Sequence, residues 1–336
     1  GLERPAEIAD QLAVIRAEGL HGIDLPPPPY TQRGVDVFGR NLDANIRKSC
    51  QYYRKAHQRL PDLIAPRTFT EKQLLFKFFG PIPSPSPSDK LRSCAYLPVE
   101  LRHLIHLPER FAITDRARVP GNDEVAPGSY YFKSNHSSRT NARVSYPLTD
   151  ERRAALQPLA ANWISRVHHR KLALWWYETM PRNLYLEEDL GSDTADAPDW
   201  KFFVCNGKVE IFQVDVDRSR DHVQTLYDRD GRYLPQELYY KTGTPVPMHD
   251  RLDDMIAVAE GIGRNFDFIR VDMFLKDGRI ILGEIGLVPN GAGAKVRSDA
   301  LDERLRAAWH APWFGRVKPG FPGAHYDRIK VVDWPA

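Results

Sequence analysis

Two turn signals constrain this chain more than anything else in it. Asn206-Gly207 and Asp277-Gly278 each stand between runs rich in β-branched and aromatic residues: WKFFVC and KVEIFQVDVD around the first, FDFIRVDMFLK and RIILGEIGLV around the second. Both dipeptides accept the positive φ values that a two-residue hairpin turn demands, so each pair of runs predicts an antiparallel hairpin. SYYFKS at 129–134 and NLYLEEDL at 183–190 read as further strands. Apolar residues at helical spacing predict helices over 5–18, 41–60, 91–107, 150–177 and 250–263, with Pro98 a breaker inside the third. The proline run at 26–29 reads as a linker, and PIPSPSPSDK at 81–90 as an extended loop ending in a helix-cap candidate at Ser88 or Asp89. The fold class that follows is α+β with antiparallel sheets, behind a mainly helical N-terminal region.

Composition removes several function classes. The 336 residues carry 47 Lys plus Arg and 44 Asp plus Glu, a formal net charge of +3. That balance gives no basic footprint for nucleic acid. No apolar run approaches the ~20 residues of a membrane span. Cys50, Cys94 and Cys205 are odd in number and show no CxxC spacing, which argues against a disulfide framework and a cysteine-based zinc site. A reducing, cytoplasmic compartment is the expectation. No secretory leader is legible, although the sequence opens on Gly1 and a removed leader stays open. There is no GxGxxG, no GxxxxGK[ST], no GxSxG and no HExxH.

The sharpest chemical signal is a pair of acids. Counting back from the Asp277-Gly278 turn pairs positions whose numbers sum to about 555, so Asp272 and Glu284 land as near neighbours on adjacent strands. Two such carboxylates repel unless a cation lies between them. Hard oxygen ligands suit Mg²⁺, which takes one or two protein carboxylates and completes its shell with phosphate and water. The alternative is that one acid is a surface strand residue and the other pairs with Arg270. Lys133, inside an aromatic strand, either snorkels at a strand end or aims a fixed charge at an anion. The loop after it, Ser134 to Asn141, offers hydroxyls, amides and Arg139 to phosphates, as many surface loops do. Glu187 and Glu188 close a strand that, read alone, is better taken as an exposed acidic end than as the rim of a ribose pocket. Lys90, Lys201 and Arg218 are, singly, ordinary surface cations, and the basic face over 41–60 reads as a solvated one.

Taken in order, these pieces resemble the ATP-grasp superfamily, and within it the TupA-like branch of teichuronopeptide biosynthesis. PRTFTEK at 66–72 is similar to that branch's PxTFNEK, SDK at 88–90 to ADK, and FKSNHSSRTN to KxNHGSGGN. LYLEEDL is similar to ILIEEYL, DWKFFVCNGKVEIFQVDVDR at 199–218 to DYKFFCFNGKPKFIQVDSDR, and FIRVDMFLKDGRIILGEIGLVP at 268–289 to FVRVDLYxxxGKIYFGELTFTP. The resemblance runs from about 50 to 295. It implies two α+β subdomains gripping ATP: 1–80 an N-terminal helical region and linker, 81–128 a central subdomain, 129–190 the small lid, 191–310 the large catalytic part, and 311–336 a tail. By the same carry-over, Lys90, Lys133, Ser137, Ser138 and Arg139 would contact the ATP phosphates. Glu187, Glu188 and Leu190 would line the adenine and ribose pocket. Asp272, Glu284 and Asn290 would hold Mg²⁺, and Lys201, Arg218 and Arg270 would be catalytic.

The implied reaction is ATP-dependent ligation of a carboxylate to an amine through an acyl-phosphate. The expected partners are a small-molecule or saccharide carboxylate, for instance a uronic acid of a cell-surface polysaccharide, and an amine. A natural-product or peptide ligase, or a non-catalytic nucleotide-binding module, is the alternative. Two positions depart from the family pattern. Ser138-Arg139-Thr140 stand where glycines would let backbone N–H groups approach phosphate. Gly286 stands where the branch places Thr and ATP-grasp enzymes generally place Asn.

Overall fold

The structure, a computed structural model, describes residues 7–26, 31–138, 140–166, 170–191, 198–216 and 223–316. Four helices come first: α1 Ile8–Ala17, α2 Gly34–Phe38, α3 Leu42–His57 and α4 Phe69–Phe79, with the short strands β1 Thr31–Gln32 and β2 Ile82–Pro83 paired antiparallel. Next come β3 Ile105–His106, β4 Arg110–Thr114, β5 Gly128–Ser134, β6 Asn141–Tyr146, α5 Asp150–Ser165 and β7 Leu184–Glu188. The last part holds β8 Asp199–Cys205, β9 Lys208–Val216, β10 Val223–Asp228, β11 Tyr233–Leu234, α6 Leu252–Gly263, β12 Phe268–Lys276, β13 Arg279–Gly286 and α7 Asp299–Ala308.

The strands form two larger sheets. One has the order β4-β7-β5-β6 and is antiparallel throughout. The other has the order β11-β10-β9-β8-β12-β13-β3, antiparallel except where β3 joins β13. Each sheet has its own core. In the small one, Phe132, Val144, Leu184 and Leu186 pack with Leu156, Ala160 and Trp163 of α5. The large sheet packs its apolar residues against α6 and the N-terminal helices in one continuous cluster. Burial of this kind, at about 25 cal/mol per Å² of apolar surface, is the main stabilising term for both bodies.

Both hairpins form where the turn dipeptides stand. Asn206 and Gly207 take φ 48° and 80°, and Asp277 and Gly278 take φ 49° and 71°. Two helix expectations fail. Residues 91–107 are not one α-helix but two short 3₁₀ turns, Ser93–Tyr96 and Val99–Leu104, followed by β3. Pro98, which has no N–H to donate, sits between them. The helix expected over 150–177 ends at Ser165. Its apolar residues serve two different cores: Trp163 packs in the small body, Trp175 and Trp176 in the large one. One straight helix cannot deliver both, so the chain breaks and crosses over.

PRTFTEK turns out to be a structural knot. Thr68 caps α4 in a reciprocal box with Glu71, each side chain accepting the other's backbone N–H at 3.1 Å. The Glu71 carboxylate, fully buried, also accepts from Tyr53 Oη at 3.0 Å, Arg59 Nη1 at 2.6 Å and the N–H groups of Asp62 and Arg67 at 3.0 and 2.6 Å. Lys72 Nζ donates to the carbonyls of Arg306 and Trp309 at the end of α7.

Candidate active site

The site grows from the register of three strands. Asp272 on β12 faces Lys201 on β8 and Glu284 on β13. Opposed residues in antiparallel strands share a face, so the three side chains stand in one row. A β-bulge between Asp272 and Met273 takes up one residue and brings Glu284, not Gly283, opposite Asp272. On the same face Arg270 grips Asp272 through both oxygens, Nε to Oδ1 and Nη2 to Oδ2, each at 2.7 Å. Lys201 Nζ is bonded to Asp199 and lies 3.5 Å from both Asp215 and Asp272. Two cations thus stand among four carboxylates: Asp199, Asp215, Asp272 and Glu284.

Electrostatics follow from this crowding. Burial would raise the Asp272 carboxyl, but Arg270 and Lys201 outweigh it and hold it below the usual carboxylate range. Burial would lower Lys201, and the attraction of Asp272 and Asp199 raises it instead. Glu284 accepts a hydrogen bond from Tyr177, whose hydroxyl is pushed up by burial and by that carboxylate. Burial lowers Lys90, an effect that Glu284 opposes and Lys133 reinforces. Lys90 therefore sits within electrostatic reach of both sheets.

A cavity of about 410 Å³ adjoins this row, and Ser138, Tyr177, Arg270, Glu284, Gly286 and Asn290 are among its walls. A Cβ on Gly286 would rest 3.5 Å from the Arg270 guanidinium, an ordinary contact, so glycine leaves that guanidinium uncovered. In the small sheet, Lys133 of β5 bonds Glu187 of β7, and Arg110 Nε stands 3.7 Å from the same carboxylate. Lys90 Nζ donates to the carbonyl of Ser137. The loop after β5 is closed on itself: the hydroxyls of Ser134, Ser137 and Thr140, all buried, lie 2.7 to 2.8 Å from one another.

The sequence-derived residues are brought together in part. Ser138, Arg270, Glu284 and Asn290 share a cavity, Asp272 and Lys201 stand in the row beside it, and Lys90 links Glu284 to Lys133 and Glu187. The Ser137 hydroxyl is committed to its own loop. Lys201, expected to be catalytic, stands among Asp199, Asp215 and Asp272. Glu188 points elsewhere: its carboxylate accepts from the Glu109 N–H at 3.1 Å and meets His106 Nε2 at 3.2 Å, joining the two sheets. Leu190 is half-buried just beyond β7. Arg139 and Arg218 lie outside the described residues.

Lys77 was not foreseen. Fully buried on α4, it donates to the carbonyls of Leu172 and Gly291 at 2.9 and 2.8 Å, both from cavity-lining residues. Burial pulls its ammonium down to about 7. The signal was a lysine inside the apolar run LLFKFF.

Residues 162–309 match the family model described as TupA-like ATPgrasp. That stretch of the chain is similar to the TupA-like ATPgrasp family. It contains Glu187, Lys201, Arg270, Asp272, Glu284 and Asn290, whereas Lys90, Lys133 and the Ser134–Thr140 loop precede it. No curated protein matches in sequence. Among solved structures, the chain is similar to the ATP-grasp ligase PsnB complexed with a phosphomimetic variant of minimal precursor, Mg and ADP. The identity is 14% over 66% of this chain and 59% of that one, with a TM-score of 0.36. It is also similar to D-alanine–D-alanine ligase from Bacillus anthracis complexed with ATP, at 13% identity over 60% of this chain and 54% of that one, with a TM-score of 0.35. The chain thus spans between half and three-fifths of the length of these two structures.

The acid row can be tested for Mg²⁺ on its own chemistry. Among the described residues Glu284 has no salt bridge of the kind that holds Asp272 to Arg270. Among the described residues no three His, Cys, Asp or Glu side chains form a cage for a metal ion. Such a set fits an ion that takes one or two carboxylates and draws its other ligands from phosphate and water.

Proposed function

We propose that this TupA-like ATP-grasp chain is an ATP-dependent ligase that joins a carboxylate to an amine. The observation that carries the reading is the Lys201–Asp272–Glu284 row beside a cavity walled by Arg270. The triphosphate would lie between that row and the small sheet, with Lys90 and Lys133 as its cations. Glu284 and Asp272, with Asn290 at the cavity wall, would hold Mg²⁺, which when bound offsets phosphate charge.

The chemistry asks the protein mainly for placement. A substrate carboxylate oxygen attacks the γ-phosphorus, the bond to the bridging oxygen breaks, and ADP leaves. The amine then attacks the acyl carbon, phosphate departs and the nitrogen loses a proton. Arg270, fixed by its two bonds to Asp272, presents a positive charge that costs no reorganisation when negative charge develops. Lys201 acts at one remove: it holds Asp272 ionised and oriented. The small sheet and its loop would cover the phosphates and exclude the water that hydrolyses an acyl-phosphate. A uronic acid or a related saccharide acid is the acceptor class this reading favours, in cell-surface polysaccharide synthesis.

The test is ADP formation from ATP and Mg²⁺ with paired acids and amines, together with ATP binding by calorimetry. ADP release that needs both an acid and an amine supports the ligase. A second reading, a nucleotide-binding module without turnover, is favoured by the engagement of both Asp272 oxygens with Arg270. ATP binding with no ADP from any pair would favour it.

A further inference from the structure

A second cavity, of about 360 Å³, lies where β1, β2 and the loop after β2 meet the 175–181 segment. The volume falls in the ~300–1,000 Å³ range of small-molecule sites. Two charged side chains are among its walls, Asp89 and Arg92, and they differ in what they leave open to a ligand. Asp89 is fully buried and its carboxylate is saturated. Oδ1 accepts from Asn135 Nδ2 at 2.8 Å and from the Leu91 N–H at 3.0 Å, and Oδ2 accepts from Arg92 Nη1 at 2.7 Å.

Arg92 is the reverse case. Its side chain is 39% exposed and engages only Nη1, while Nε and Nη2 have no partner among the described residues. Those two nitrogens form one edge of the guanidinium, whose parallel N–H bonds match the two oxygens of a carboxylate. The chain uses this same edge on carboxylates of its own. Arg270 grips Asp272 with it at 2.7 Å, and Arg33 grips Asp36 with it at 2.9 Å. At Arg92 the edge is left over, and the buried Asp89 fixes the guanidinium from its other side. A group held in advance loses less freedom on binding.

The other polar side chains in the lining, Gln32 and Ser84 among them, are uncharged. A cationic ligand would meet the guanidinium and find no free acid. A phosphate dianion would find one cation for two charges. One carboxylate matches the edge in both charge and shape.

The geometry points to this cavity as a binding site for a small carboxylic acid, held by the Nε–Nη2 edge of Arg92. The site does not rest on ATP binding, although it borders the proposed cleft: Trp176 is a wall of both cavities, and Lys90 lies between Asp89 and Arg92 in sequence.

Proton–nitrogen NMR of the arginine Nε–H groups tests it on the full chain, with the Arg92 signal assigned sequentially. Glutarate is the probe, glutaramide its uncharged counterpart and inorganic phosphate a second anion, and ATP is titrated separately. Glutarate is expected to shift the Arg92 signal to saturation, glutaramide to leave it in place and phosphate to bind more weakly. Arg92→Lys keeps a cation beside Asp89 but loses the paired edge, so glutarate affinity, read from the Gln32 side-chain amide, should fall about tenfold. A thermal melt confirms that this variant is folded. An Arg92 signal unmoved by glutarate, an equal response to glutaramide, phosphate binding as tight as glutarate or tighter, or an unchanged glutarate affinity in folded Arg92→Lys overturns the inference. Glutarate binding without ATP binding keeps this site and removes the ligase reading; ATP binding without a glutarate response does the reverse.

Discussion

Arg270 holds Asp272 through two parallel hydrogen bonds of 2.7 Å, in a buried row where Glu284 stands directly opposite. Removing one partner of such a pair leaves the other charge buried and uncompensated. Asp272→Asn is therefore expected to lower stability by about 3 kcal/mol, read from urea unfolding. Under the proposed function, ADP formation should fall at least a hundredfold, because Arg270 loses its anchor. Unchanged stability would show that the pair is not the brace described here.

Glu71 braces the N-terminal helices, not the reaction. Glu71→Gln exchanges an acceptor of several charge-assisted and backbone bonds for an amide that also carries donors. The expected loss is about 2–4 kcal/mol in unfolding, with turnover per folded molecule nearly unchanged. A large fall in turnover without a stability loss would instead give PRTFTEK a catalytic part.

His21 makes stability depend on pH. Its ring packs between Phe79 and Phe314, at centroid distances of 5.0 Å, with a 2.7 Å contact to the Leu63 carbonyl. Burial lowers it from 6.5 to about 4. Between those values the unfolded chain binds a proton that the folded chain does not, so stability falls as pH drops from 6.5 towards 4. The slope from this group approaches about 1.4 kcal/mol per pH unit. His21→Phe should flatten that part of a stability–pH curve, and an equally steep curve in the variant would rule His21 out as the source.

Lys77 ties two cavity walls together through the Leu172 and Gly291 carbonyls. Lys77→Met leaves both acceptors unfilled and should cost about 1–3 kcal/mol, seen as a lower melting temperature. Hydrogen exchange should quicken around 172 and 291 before it does elsewhere. Uniform quickening across the chain would contradict this local role.

Lys133 carries a different kind of burden. It is partly exposed and paired with Glu187, so Lys133→Met should change stability little. ATP affinity should fall about tenfold or more, measured by calorimetry. Equal affinity would mean that its charge serves only Glu187.

Much of this architecture was legible because local chemistry and final fold agree. Asn206-Gly207 and Asp277-Gly278 carry their turns, and counting back from the second brings Asp272 and Glu284 close together on adjacent strands. The bulge beside Met273 was not legible, since an extra residue in a strand leaves no mark on an alternation that is apolar on both faces. The crossing between Ser165 and Trp175 was hidden for a related reason: helical spacing records that residues are buried, not in which core. Thr68 and Glu71 did carry a readable signal, a Thr three residues before a Glu at the head of an apolar run. The enclosure of Lys201 by Asp199 and Asp215 depends on the pairing of β8 with β9 and on side-chain reach, which spacing alone does not supply.

The most direct measurement is a crystal structure of the full chain with a non-hydrolysable ATP analogue and Mg²⁺. The account predicts a triphosphate between Lys133 and the Asp272–Glu284 row, with the metal against Glu284 and the cavity beside Arg270 open at the terminal phosphate. A nucleotide bound away from that row, or an intact crystal that binds none at saturating analogue, would contradict it.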